Sequence, residues 1–186
     1  MLISEEYKDI QEKLHQDPKY GAATAYKAVI PYLQRMRPRS IVDYGAGKGK
    51  LKGYLRQYGI SARYIPYDPA VREFSADPQT GDVVICMDVC EHIEEEYVDN
   101  VFRHMNSKFT HFCILAVACY PAKKIMEDGR NAHVLIRQPS WWFAKFWEHF
   151  DVIEFRTAVA KLDDKFRGHE ALAVCRKKVP GIALAY

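Results

Sequence analysis

The feature that most constrains the fold is the run Ser40-Ile41-Val42-Asp43-Tyr44-Gly45-Ala46-Gly47-Lys48-Gly49, with Leu51, Tyr54, Leu55 and Tyr58 after it. A β-branched apolar run reads as a strand, alternating glycines as a tight turn, and the resumed apolar spacing as a helix. Glycines in such a turn accept a positive φ and let backbone approach a ligand that a β-carbon would hold off. The helix that follows opens with unpaired N–H groups. A strand, turn and helix of this kind is the building unit of an α/β fold.

Further units repeat the pattern. Ser61 to Asp68 reads as a second strand ending in an acid, and Asp68 stands 19 residues beyond Gly49. A carboxylate at that place in nucleotide-binding α/β folds accepts the ribose hydroxyls. Asp82-Val83-Val84-Ile85-Cys86-Met87-Asp88 is a continuous apolar run, as expected of a strand covered on both faces. It leads through Val89-Cys90-Glu91-His92-Ile93 into an amphipathic helix carrying Tyr97, Val98, Val101, Phe102 and Met105. His111 to Ala118 reads as another strand, and Pro139 to Trp147 as a helix with proline at its start. Phe150 to Phe155 and Ala171 to Cys175 read as the last two strands, joined by a polar connection over 161–170. Before the glycine turn, 4–16 reads as a short amphipathic helix and Ala22 to Met36 as a longer one, with Pro31 set to kink or split it.

The glycine turn is G-x-G-x-G after an acid. It is not the dinucleotide pattern G-x-G-x-x-G, whose third glycine would fall at Lys50. It resembles motif I of the class I S-adenosylmethionine-dependent methyltransferases. The stretch Asp82-Val83-Val84 … Asp88-Val89-Cys90-Glu91-His92-Ile93 is similar to the fourth motif of many small-molecule members. "DYGxGKG", "YDP" and "DVxEH" follow in the order seen in compact bacterial and phage enzymes of that family, and the likeness spans about residues 20–175. It implies an α/β fold with a mostly parallel sheet of the seven-stranded type and helices on both faces. In this chain Ser75 to Gly81, where many relatives have a third strand, reads as a loop. It further implies S-adenosylmethionine as cofactor, held by Asp43, Gly45, Ala46, Gly47, Gly49, Asp68, Pro69, Asp88 and Val89. Tyr20-Gly21 is a candidate for closing the pocket.

Methyl transfer is an in-line displacement, so the protein must align a nucleophile and, where needed, take its proton. Histidine suits the second task near neutral pH. His92 and His133 are the candidate bases. Tyr120, Arg130, Asn131 and His133, after the strand at 111–118, are candidate substrate contacts. Cys86, Cys90 and His92 resemble a ligand set on paper, but their side chains should diverge and no CxxC or HxxxH pattern supports them, so no metal is expected. The nucleobase-methylating signatures are absent after Asp88.

The acceptor expected is a small polar molecule offering a sugar or metabolite hydroxyl or an amine. A nucleotide or nucleic acid is the alternative, which would call for a basic surface joining Lys123, Lys124, Arg130 and Arg137. A protein that binds the cofactor without turning it over is the alternative of another class. The net charge of +3 is too small to argue for nucleic acid. The five cysteines form no CxxC pair and no apolar run approaches the roughly 20 residues of a membrane span, so a reducing, cytoplasmic location is expected. One domain is expected over 1–186, with N-terminal helices to 37, the α/β core over 38–178 and a tail from 179; oligomeric state is open.

Overall fold

The computed structural model describes residues 1–17, 20, 25–161 and 167–178. Gly21, the connection at 162–166 and the tail from 179 lie outside the described residues. Six strands form one sheet: β1 (Ser40–Tyr44), β2 (Arg63–Tyr67), β3 (Gly81–Met87), β4 (Phe109–Ala118), β5 (Phe150–Lys161) and β6 (Arg167–Lys177). Their order is β2-β1-β3-β4-β6-β5. The first four run parallel, while β6 enters antiparallel beside β4 and pairs with β5 as a hairpin at the edge.

No strand occupies the segment between β2 and β3 among the described residues. A short 3₁₀ turn, Arg72–Phe74, precedes the irregular residues 75–80. That segment is only a few residues long and contains Pro78, which has no N–H to give a ladder. The sheet of the seven-stranded type is therefore realised with six strands among the described residues.

The period of two along each strand divides the core. Val42, Tyr44, Val84, Cys86 and Leu115 face one side, packed by α4 (Val98–Ser107) through Val101, Phe102 and Met105 and by α5 (Pro139–His149) through Trp142 and Phe146. Ile41, Val83, Ile85, Met87 and Ile114 face the other, against Leu33 of α2 (Ile30–Met36) and Leu51 and Leu55 of α3 (Leu51–Gln57). Each of these large apolar side chains contributes roughly 1.5–3 kcal/mol by leaving water. On α5 the aromatic cluster divides: Trp142 and Phe146 are buried, whereas Phe143 and Trp147 remain exposed.

Pro31 does split the N-terminal pattern. A 3₁₀ helix, Ala25–Ala28, precedes α2, which carries Pro31 in its first turn, where a missing N–H costs nothing. The first helix, α1 (Glu5–Leu14), is capped by Ser4, whose hydroxyl accepts from the Tyr7 N–H at 3.2 Å. The chain leaves β1 for β2 on one side and then crosses from β2 to β3 on the other side of β1, so a crevice opens at the carboxyl ends of β1 and β3. In doubly wound sheets that is where ligands bind.

Candidate active site

After Tyr44 the backbone turns through Gly45 at φ 80°, Gly47 at 47° and Gly49 at 65°. A β-carbon on Gly45 would stand 2.3 Å from Cγ2 of Val89, so the loops after β1 and β3 can interlock only over glycine. The turn is stitched to β2. Gly45 and Ala46 N–H donate to the Tyr67 carbonyl at 2.8 and 3.0 Å, and Gly47 N–H donates to Asp68 Oδ2 at 2.9 Å. Asp68 Oδ1 accepts from Ala70 N–H at 3.0 Å. A carboxylate has about four lone-pair sites, so Asp68 retains acceptor capacity beyond these two bonds.

These loops enclose a cavity of about 230 Å³. Gly45, Gly47, Asp68, Pro69, Asp88, Val89 and His92 line it, as do Tyr26 and Tyr44. Ala46 and Gly49 lie within the turn but outside the lining, and so does Asp43. Asp43 is buried and accepts from the Tyr64 hydroxyl at 2.7 Å. Burial pushes its carboxyl up to about 7, opposed by that hydrogen bond. Asp43 thus braces β1 against β2 behind the glycine turn.

Asp88 ends β3 with φ 56°, a left-handed conformation costly for a residue with a β-carbon. Its N–H donates to the Ala116 carbonyl at 3.0 Å, which holds it there. Burial, with the Glu170 charge adding to it, raises the Asp88 carboxyl to about 6.

The opposite wall belongs to the N-terminus: Leu2, Ile3, Tyr7, Gln11, His15 and Tyr20. Only Tyr20 was a candidate from sequence. The buried stripe Tyr7, Ile10, Gln11 and Leu14 carries a signal in its glutamine, a polar group on an apolar face. Gln11 Oε1 accepts from the Tyr20 hydroxyl at 2.9 Å. Polar clips hold α1 down: Ser4 N and Oγ reach the Glu94 carboxylate at 3.2 and 3.1 Å, and Arg130 lies over the Tyr7 ring while pairing with Glu94. The Lys48 ammonium donates to the His15 carbonyl.

His92 faces the cavity and His133 stands behind it, the two rings edge to face at 4.8 Å. His92 Nδ1 lies 2.7 Å from the Ala132 carbonyl and His133 Nδ1 lies 2.6 Å from the Tyr120 carbonyl. A carbonyl only accepts, so both rings carry the proton on Nδ1 and keep Nε2 as a lone-pair donor. Burial, then His133, lowers His92 to about 4, and burial lowers His133 as well. Both imidazoles are therefore neutral near pH 7.

The other expected substrate contacts are not brought to the cavity lining. Asn131 Oδ1 accepts from the N–H groups of Ala122 and His133, and its Nδ2 donates to the Ala122 carbonyl. Arg130 is engaged with Asp128 and Glu94. The Tyr120 hydroxyl donates to Glu170 at 3.0 Å, and its ring packs on Gly168, where a β-carbon would come within 2.2 Å. The thiols of Cys86 and Cys90, expected to diverge, stand 3.7 Å apart, while His92 turns away toward Ala132.

Residues 15–159 match the family described as Methyltransferase domain. The chain belongs to that methyltransferase family. None of the curated proteins matches the methyltransferase in sequence. Solved structures do match its fold. The N-methyltransferase NodS from Bradyrhizobium japonicum WM9, in complex with S-adenosyl-L-homocysteine, is 10% identical with a TM-score of 0.60, covering 93% of this chain and 99% of that one. Magnesium protoporphyrin IX methyltransferase from Synechocystis PCC 6803 with bound SAH is 15% identical at 0.61, covering 88% and 86%. The methyltransferase domain of bacterial CtHen1-C is 13% identical at 0.60, covering 83% and 97%. No helix among the described residues of the methyltransferase is long and apolar enough to cross a membrane.

Proposed function

We propose that this methyltransferase moves the methyl group of S-adenosylmethionine to a hydroxyl or amine of a small polar acceptor seated beside His92. The observation that carries this reading is the pairing of the glycine turn with Asp68 and Asp88 on one side of the cavity and neutral His92 on another. The cofactor supplies the electrophilic methyl. Asp68, with lone pairs beyond its two backbone bonds, accepts the ribose hydroxyls. Gly45 and Gly47 let the backbone approach, and Asp88 faces the cationic portion of the cofactor. Tyr7, Gln11 and Tyr20 exclude water from the opposite side. His92 Nε2 accepts a hydrogen bond from the acceptor's O–H or N–H and aligns its lone pair with the methyl. The family of structural neighbours includes enzymes named for porphyrin and toxoflavin acceptors, which supports a small-molecule substrate.

A nucleic-acid acceptor is less well supported, because three of the four cations it would need are already paired. Lys124 meets Asp17, Arg137 meets Glu95, and Arg130 meets Asp128 and Glu94. The five free thiols, four of them buried, fit a reducing, cytoplasmic compartment.

Calorimetric titration tests the cofactor. S-adenosylhomocysteine should bind saturably, and Asp68→Ala should weaken it about 10- to 100-fold, the worth of roughly 1.5–3 kcal/mol in hydrogen bonds to a charged group. Binding of NAD in place of the sulfur compounds would sink the reading.

A further inference from the structure

We propose that Glu91, His92 and His133 form a site for one divalent transition-metal ion at the back of the cavity. One ligand atom from each of the three lies within 4.8 Å of the others. Three features single this cluster out. Glu91 is completely buried; its Oε1 accepts from the Ala118 N–H at 3.1 Å, but its Oε2 has no partner among the described residues. A buried carboxylate oxygen left bare is costly and calls for a cation or a proton.

Both histidines, in addition, are oriented as metal ligands are. Each gives its Nδ1–H to a backbone carbonyl, Ala132 for one and Tyr120 for the other, which fixes the tautomer and leaves Nε2 unprotonated. The loop that carries them is itself braced: Asn131 clips Ala122 and the His133 N–H, and the Leu135 N–H donates to the Glu91 carbonyl. This explains why Asn131 and Tyr120 are engaged in the loop rather than displayed to the cavity. A second acid–histidine cluster, Asp99, Glu148 and His149, provides the contrast, since Lys145 already bridges both of its carboxylates.

Two imidazoles and one carboxylate suit Mn²⁺, Fe²⁺, Co²⁺ or Zn²⁺ better than Mg²⁺ or Ca²⁺, which prefer oxygen throughout. Three protein ligands leave coordination positions open on the His92 side, which faces the cavity. An oxygen of the acceptor would fill one of them. That use of the ion rests on the methyl transfer proposed above. The bound hydroxyl would lose its proton to solvent more easily. Its lone pair would then form the O–CH₃ bond as the S–CH₃ pair stays on sulfur. With the ion bound, the His92 Nε2 lone pair is used as a ligand, and contact with the ion replaces its hydrogen bond to the acceptor.

The test is titration of the chelator-stripped protein with Co²⁺, followed by its d–d absorption, and with Mn²⁺, followed by its magnetic resonance. The expected result is saturation at one ion per chain. Glu91→Gln and His133→Ala should each weaken binding by more than the roughly 10- to 100-fold that loss of an outer-shell partner causes. Asp99→Asn, in the other cluster, should leave the titration unchanged. Glu91→Gln keeps the shape and removes a buried acid, so its melting curve tells loss of a ligand from loss of fold. No saturable uptake of either ion would overturn the proposal, as would uptake indifferent to Glu91→Gln and His133→Ala; Glu91 would then be a neutral carboxylic acid. S-adenosylhomocysteine binding to the same stripped protein is read separately. Cofactor binding without metal uptake sinks the metal site alone, and metal uptake without cofactor binding sinks the proposed function alone.

Discussion

Asp43 shows what a single buried carboxyl does to the whole chain. Its group ionises near 3.8 when exposed and about 7 in the folded protein, with burial as the leading cause. The folded state therefore holds the proton more tightly than the unfolded one. Its contribution is full below about pH 3.8 and is lost as pH rises through about 7. Asp43→Asn cannot titrate but still accepts from the Tyr64 hydroxyl. Melting temperatures recorded from acid to neutral pH should fall less steeply in that variant, and superimposable profiles would show that Asp43 is not the source. At this scale the sequence was legible where backbone geometry sets the residue. Gly45 and Gly47 line the cavity and Asp68 binds the turn, because a positive φ and a strand-end acid leave a mark in the residue types. It was less legible where two roles share one residue type. Arg130 and Asn131 are rich in hydrogen-bonding groups, and those groups are used to build their own loop rather than to line the cavity.

Among the elements, α1 stands apart because polar clips hold it as one wall of the cavity. Glu94 is the centre of those clips, taking two bonds from Ser4 and an ion pair from Arg130. Glu94→Ala should raise amide exchange across Glu5–Leu14 while leaving β1, β3 and β4 protected. Equal exchange in variant and wild type would mean that the apolar stripe of Tyr7, Ile10 and Leu14 suffices. Periodicity revealed that α1 has a face to bury, but not what it covers, since a 3.6-residue repeat carries no information about the partner. The strands at the other end were read too short for a related reason. β5 and β6 continue to Lys161 and from Arg167 because hairpin pairing extends them, while only the stretch around Ala171 to Cys175 is buried enough to read as apolar. β3 and β4, covered on both faces, were plain in the sequence.

For the molecule as a whole, the cavity joins the sheet to the N-terminal helix, so a ligand that fills it must stabilise both. S-adenosylhomocysteine should raise the melting temperature progressively, equivalent to about 2.7 kcal/mol at a hundred times its Kd. A melting curve indifferent to it would place its binding outside the folded cavity. The overall architecture was legible because apolar strands recur up to β4, with helices between β1 and β2 and between β3 and β4; the sheet order was not, since it depends on a strand that arrives late. β6 lies between β4 and β5, although it is the last of them in the chain. On the ribosome, therefore, β4 waits with one edge unpaired while all of β5 is made, and the sheet closes only when Arg167–Lys177 has emerged. Every residue lining the cavity, from Leu2 to Val101, has been synthesised by then. The nascent chain thus carries the parts of its ligand cavity well before it can hide the apolar edge of its own central strand, and that interval is when a chaperone has something to hold.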